Sequence, residues 1–438
     1  MTARRPCPPA AGPLEDYAKH FDPLFHSLAQ RRNFRTYLAG LLAPRDRPKT
    51  LTALAGAEPL VQAQTAPVQQ LQFFLSESFW DADAVTTRTL QLLAENALTA
   101  SDPDGVLVVD DTGDRKDGCA TEHVARQYLG SVGKIDNGIV AVTTLWANEQ
   151  RYYPLHVAPY TPESRLPDGR KNPAFHSKPQ LAMALIEQAM TAGITFKAIV
   201  ADCFYGDHRE LVATLRRRRL PFVLSHRGSV GRGWAPEDMA HSFNEALDEL
   251  RLRDWHKVTR HFRDRHTERW WATELTFLNY GPDQPVRAIC ATTDPRTLPE
   301  LSTWYLTTNL PLEAASLEEV VRLYGLRHWV EQGYKQMKDE LGWADFMVRS
   351  DQAIRRHWQL VCCAFAFCWW QEARQAHQHA LVDSPARKKK PAGTVADAMS
   401  LAASASLGAG MVVNAARSFL ISAEVNFPTL GSGKSTRQ

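Results

Sequence analysis

The chain has 438 residues, 44% of them hydrophobic and 23% charged, with a formal net charge of +3. That balance suits a soluble globular protein of two or three domains and gives no global sign of a nucleic-acid partner. Seven scattered cysteines exclude a disulfide scaffold and fit a reduced, cytoplasmic setting, and no apolar run reaches membrane-spanning length, so no membrane partner is expected.

The opening stretch "MTARRPCPPAAGP" lacks the apolar core of a signal sequence. Residues before about Ser101 read as helical. "EDYAKHFDPLFHSLAQRRNFRTYLAGLLA" places Tyr17, Phe21, Leu24, Phe25 and Leu28 on one face, followed by Arg31, Arg32 and Arg35. This fits either a small basic helical module or an ordinary bundle with exposed arginines.

The middle of the chain alternates between strand and helix. "GVLVVDD" is a short buried-type strand ending in Asp110 and Asp111, and "GIVAVTTLWA" and "RYYPLHVAPY" follow as strands. "SKPQLAMALIEQAMTAG" is an amphipathic helix stopped at Gly193, "FKAIVADCFYG" a strand ending at Asp202, "DHRELVATLRRRR" a helix and "LPFVLSH" a strand. Three strands before the first helix predict an antiparallel meander extended by parallel strands, an α/β mixed sheet with flanking helices. From about Arg227 to Leu310, helical "DMAHSFNEALDELRL" gives way to the β-rich stretches "WHKVTRHF", "RWWATELTFLNY", "PVRAICATT" and "STWYLTTNL". After Trp343 the pattern is helical to about His379, then "DSPARKKKPAG" reads as a linker.

Basic residues cluster despite the small net charge. Arg216–Arg219 and Arg387–Lys390 form runs, and "RLRDWHKVTRHFRDRHTER" is dense in cations. Such patches bind phosphates locally, although any single run reads equally well as a solvated face.

The segment Tyr324–Trp343, "YGLRHWVEQGYKQMKDELGW", predicts one helix. At about 100° per residue, Tyr324, Arg327, Glu331 and Lys338 fall within an arc of roughly 60°. Leu323, Leu326, Val330, Met337 and Leu341 fill the neighbouring arc and are expected to face a core. The charged arc is expected to face solvent, so that alanine at Arg327 or Lys338 leaves stability nearly unchanged.

Three carboxylates then stand at separated positions. Asp111 (or its neighbour Asp110) and Asp202 end predicted strands, and Glu331 lies on a helix able to pack against the same sheet. Mg²⁺ prefers such oxygen ligands, and two ions held by shared carboxylates drive phosphoryl transfer. Arg327 and Lys338 are cations suited to holding phosphates in line.

These residues resemble a family. "YGLRHWVEQGYKQMK" matches the Y-x2-R-x3-E-x6-K signature of DDE-type insertion-sequence transposases at Tyr324, Arg327, Glu331 and Lys338. "VVDDTG" resembles the strand carrying the first catalytic Asp, and "VADCFYGD" the strand carrying the second. "ARQYLGSVGKIDNGIVAVTTLWA" and "YYPLHVAPYTP" look most like the insertion-sequence 701 family. The resemblance implies a ribonuclease-H-like core with a β-rich insertion before the last catalytic helix. It implies catalytic, metal-binding Asp111, Asp202 and Glu331, with Asp111 favoured over Asp110 because the family's Asp directly precedes Thr. It also implies end-phosphate contacts at Tyr324, Arg327 and Lys338, two Mg²⁺ ions with Mn²⁺ as substitute, double-stranded DNA as partner, and a homodimer in the synaptic complex.

The expected organisation is a helical N-terminal DNA-binding domain at 1–100 and the first part of the core at 101–226. The insertion spans 227–310, the last core helices 311–380, and a linker with an unassigned tail 381–438. The expected activity is hydrolysis at the element ends and joining of the 3′-OH ends to target DNA. A non-catalytic DNA binder and a nuclease without strand transfer are the rival readings. Three features are set aside. "LGSGKST" fails the phosphate-loop pattern at Pro428. Cys119 and His123 lack a second ligand pair for zinc. Trp255, Trp270 and Trp271 read first as core residues and second as stacking partners for an unpaired base.

Overall fold

Capping residues decide where the first helices begin. In the computed structural model, which describes residues 5–57, 65–228, 243–248, 250–262, 266–276, 280 and 284–382, Ser27 and Gln30 form a reciprocal capping box that opens α2 (Leu28–Leu42). It follows α1 (Pro13–Lys19) and precedes α3 (Leu51–Leu54), α4 (Ala66–Ser76) and α5 (Ala82–Ala94). Strands β1 (Val106–Arg115), β2 (Ala125–Leu129), β3 (Lys134–Ala147) and β4 (Tyr152–Tyr160) come next. A second capping box, Ser177 with Gln180, starts α6 (Lys178–Thr191), and Gly193 beyond its end takes the left-handed φ of 77° expected of a helix stop. Then follow β5 (Ala198–Ala201), the single turn α7 (Cys203–Gly206), α8 (Arg209–Arg217) and β6 (Phe222–His226).

The expected mixed sheet is present, and it is larger than the middle region alone. After α9 (Phe243–Asp248) come β7 (His256–His261), β8 (Thr267–Leu275), β9 (Arg287–Thr292) and β10 (Thr303–Thr308). All ten strands share one sheet in the order β2-β3-β1-β5-β6-β10-β9-β8-β7, with β4 paired to β3. Pairing of β1, β5 and β6 is parallel, whereas β10 meets β6 antiparallel and leads into an antiparallel meander. The β-rich stretch therefore extends the edge of the central sheet, because β6 offers its free backbone groups to β10. Strand β2 was not among the expected elements, since "ARQYL" is too short and polar to signal one.

The helix expected over Tyr324–Trp343 is two helices, α10 (Leu317–Gly325) and α11 (His328–Asp339). Between them Arg327 N bonds to Tyr324 O and Val330 N to Arg327 O, three residues apart, so the axis tightens and turns. Gly325 sits at the turn, where a Cβ would lie 3.0 Å from Arg260 Nε. The apolar arc survives the break: Leu323, Leu326, Val330, Met337 and Leu341 are all buried.

Helix α12 (Asp351–Val382) runs through the centre of the helical layer. Tyr17 OH donates to Cys363 O at 3.2 Å, Tyr37 OH meets His357 Nδ1 at 2.7 Å, and Arg356 donates to Leu75 O and Trp80 O. One continuous core joins Leu14 through Leu93 to the sheet and to α12, including Cys362, Cys363 and Cys368. Of the expected exposed arginines only Arg32 is exposed. Arg31 is buried, and Arg35 is buried with Glu15 and Asp22, 2.8 and 2.7 Å away. Removing the residues before 101 thus strips the packing partners of α12. A 101–382 fragment should lose cooperative thermal melting, and a fragment that melts like the intact chain would show that the core stands alone.

No described helix is long and apolar enough to cross a membrane. The tail expected at 381–438 lies outside the described residues from 383 on, as do Arg387–Lys390 and "LGSGKST". Part of the helix expected over "DMAHSFNEALDELRL" also lies outside them.

Candidate active site

Strand β1 sets the geometry. Its alternation turns Asp110, Thr112 and Asp114 to one face and Asp111 to the other. Parallel pairing with β5 sets Val109 opposite Ala201, so Asp110 and Asp202 emerge at the same level beyond the end of β5. Asp202 also caps α7, accepting from Phe204 N at 3.1 Å, which fixes its carboxylate.

Helix α11 lies on the Asp110 face. Arg327 Nη2 is 2.7 Å from Asp110 Oδ2 and 3.8 Å from Asp202 Oδ2, and Nη1 is 3.7 Å from Glu331 Oε1. The guanidinium thus links carboxylates from β1, the β5 end and α11. Glu331 itself is 71% exposed. On the opposite face, Lys178 Nζ lies 3.1 Å from Asp111 Oδ1, and Tyr205 OH donates to Asp111 Oδ2 at 3.3 Å. Neither Lys178 nor Tyr205 was expected from the sequence. Lys178 occupies the first turn of an ordinary amphipathic helix, and only the packing of α6 on β3 and β1 gives it a role.

The four expected polar residues of the Tyr324–Trp343 stripe separate. Lys338 Nζ is 2.7 Å from Asp114 Oδ1, an acid that also accepts from Trp343 Nε1 at 3.1 Å. Tyr324 is buried, with its ring 4.9 Å from that of Trp304. Arg327 and Lys338 are each only 19% exposed. They are members of buried pairs with β1 acids, so the expectation that their loss leaves stability unchanged does not hold.

Electrostatics mark the carboxylates as crowded. Burial pushes Asp110 from the ordinary 3.8 up to about 7; Arg327 opposes this, and Asp202 and Asp111 add repulsion. Asp202 is also raised, first by burial, with Arg327 opposing and Asp111 adding to it. For Arg327, burial works against the charge, but Asp110, Tyr324, Asp202 and Glu331 more than offset it. Repelling carboxylates held together by the fold are the usual setting of a functional site.

Asp110 yields a pH-dependent expectation. The folded protein holds that proton more tightly than the unfolded chain does. Ionising Asp110 therefore costs stability progressively as pH rises from 3.8 to about 7, and the cost is level above that. Asp110→Asn removes the cost, while Arg327 keeps Asp202 and Glu331 as counter-charges. In buffer free of divalent cations, its gain in melting temperature over the parent should widen between about pH 5 and about pH 8. A gain independent of pH would show that Asp110 does not titrate in this range.

The donor chemistry suits a hard cation, because every candidate ligand is a carboxylate oxygen. Among the described residues, no group of three His, Cys, Asp or Glu side chains is close enough to hold one ion together. The set-aside features resolve plainly. His123 is taken up by Thr161 and Asp351 at 2.7 and 2.8 Å. Trp255 and Trp270 are buried in the insertion, and only Trp271 is partly open.

Comparison with known proteins gives the family. Residues 20–231 match the family described as DDE superfamily endonuclease, and residues 176–367 the family described as transposase DDE domain. The chain is 32% identical over 349 residues to the probable transposase for insertion sequence element IS701 of Microchaete diplosiphon, covering 79% of this chain and 84% of that protein.

Proposed function

Because the chain belongs to the DDE-type transposases related to that of insertion sequence element IS701, we propose that it cuts double-stranded DNA at the ends of its own insertion sequence and joins the 3′-OH ends to target DNA. A DDE-type transposase acts on DNA and generally uses divalent metal ions. The proposed ligands are Asp111, Asp202 and Glu331. Asp111 is favoured over Asp110 because it is the more exposed, at 20% against 11%, and because the family's Asp directly precedes Thr. Two Mg²⁺ ions bound there, or Mn²⁺ in their place, would activate the attacking oxygen and stabilise the leaving one.

The side chains divide the remaining work. Arg327 neutralises Asp110 and Asp202, and its guanidinium, 19% exposed, is a cation beside those acids that suits a phosphate oxygen. Lys338, through Asp114, docks α11 on β1 and so holds Glu331 over the acids. The family pattern also gives Lys338 and Tyr324 end-phosphate contacts, of which Arg327 has the stronger support. We place the reaction in the cytoplasm, with two copies bringing two ends together.

The observation that supports this reading is that acids from three elements, Asp110, Asp202 and Glu331, surround Arg327, with Asp111 held by Lys178 on the other face of β1. A DNA binder has no use for such mutually repelling acids. The test runs uncut and precut ends with a circular target and Mg²⁺. Cutting followed by joining is expected. Cutting alone would mark a nuclease of the same fold, and neither would leave a DNA binder.

A further inference from the structure

The β-rich insertion packs on the break between α10 and α11. Arg260, near the end of β7, holds its guanidinium over three rings, 4.8 Å from the centre of Phe262, 4.9 Å from Trp270 and 4.7 Å from Trp304. The same group lies against Gly325, where a Cβ would stand 3.0 Å from Nε and 3.0 Å from Nη2. One flat cation thus fills the space between the rings of the insertion and the bare backbone of the break. Two further contacts tie the break down. The Trp304 ring meets that of Tyr324 edge-on at 4.9 Å. His328 Nδ1 donates to Gly325 O at 2.7 Å, and the His328 ring lies 6.2 Å from that of Phe262. That carbonyl needs a side-chain donor, because Trp329 N turns to Leu326 O at 3.2 Å instead.

A cation is a costly filler at this position. The Arg260 side chain is 11% exposed, and its ion-pair partner among the described residues is Glu268, at 3.4 Å and itself 40% exposed. An apolar side chain would fill a gap among rings without that desolvation. Cation–π contact offsets part of the cost. What arginine adds is shape: a planar guanidinium lies on ring faces while its edge meets backbone, which an ammonium cannot do.

We propose that Arg260 is a positioning residue for Glu331, acting through the α10–α11 break, a role that rests on the ligand reading above. Glu331 stands three residues beyond His328, so a swing at the start of α11 displaces its carboxylate. Its own contacts do not hold it, because it is 71% exposed and its ion pair with Arg327 spans 3.7 Å. Its placement comes from the helix that carries it. The far end of α11 is held by Lys338 on Asp114, and the near end by the Arg260 platform. A metal ligand is only as well placed as the groups behind it.

The test measures Mn²⁺ binding to the full chain with its end DNA, from the EPR signal of the free ion, with DNA alone subtracted. Glu331→Gln should weaken binding. Arg260→Met, which keeps an unbranched side chain among the rings, should weaken it about tenfold, the scale of losing a group that orients a ligand. Arg260→Met added to Glu331→Gln should cause almost no further loss, since nothing remains to be positioned. End binding in a gel shift should match the parent. An undiminished Mn²⁺ affinity in folded Arg260→Met overturns the proposal. So does an equal loss with and without Glu331, which would mark a general loosening of the fold. Weakened end binding at parental Mn²⁺ affinity also overturns it and makes Arg260 a DNA contact. If Glu331→Gln itself binds Mn²⁺ like the parent, the ligand reading fails first and this one with it. Thermal melting checks folding, and Arg260→Lys, which keeps the charge but not the plane, carries the same comparison if Arg260→Met melts early.

Discussion

Alanine at Asp111, Asp202 or Glu331 lowers end cleavage by about a thousandfold or more, the scale of losing one preorganised stabiliser of transition-state charge. End binding in a gel shift should persist in all three, because the phosphate contacts lie on other residues. The folded state should tolerate each change. Glu331 is 71% exposed, with a single distant ion pair at 3.7 Å, and its loss removes no packing. Asp202 is raised by burial and repulsion, so its removal relieves strain on Asp110 while costing α7 its cap. Asp110→Ala is the internal control. It should cut at a reduced but measurable rate, since its main partner is Arg327. If Asp110→Ala is dead and Asp111→Ala active, the two neighbours exchange roles and the β1 ligand is the one that faces α11. Cleavage near the parent rate in any single variant removes that residue from the site.

Arg327→Ala should fail twice, in stability and in cleavage. It leaves Asp110, 11% exposed, beside Asp202 with no compensating cation from α11. Breaking a buried pair this way costs about 3–5 kcal/mol, and uptake of a proton by Asp110 should bring the loss to about 2–4 kcal/mol. The two losses can be separated. Asp110→Asn/Arg327→Ala removes both charges of the pair, so melting should recover toward the parent while cleavage stays low. Its end binding should also show a salt dependence shallower by roughly one unit, the signature of one lost phosphate contact. Recovery of both stability and cleavage in the double variant would reduce Arg327 to a counter-ion of the fold.

The strand ends at Asp110, Asp111 and Asp202, the mixed sheet and the apolar arc from Leu323 to Leu341 follow from local periodicity, and local periodicity is what a chain carries in plain view. The buried cysteines of α12 follow in the same way. The signature spacing from Tyr324 to Lys338 also placed the chain in its family, because four residue types at fixed offsets are rare by chance.

What periodicity does not hold is which face meets which. Adjacent residues on a strand point to opposite faces, so Asp110 and Asp111 look alike until α11 packs on one side and α6 on the other. That packing gave Arg327 to Asp110 and Lys178 to Asp111, and it buried Arg327 and Lys338, charges that the helix alone leaves in water, while Glu331 stayed exposed. The glycine at 325 leaves room for the side chain of Arg260 from β7, 65 residues earlier. Likewise Arg35, basic and surface-like in sequence, is buried because Glu15 and Asp22 fold back to meet it. Sequence by itself determined most of the secondary elements, though not β2 or the break between α10 and α11, together with the core stripes and the family. Tertiary structure decided the pairing of charges, because the energy of an ion pair depends on distance and burial, and both are set by contacts between residues far apart along the chain.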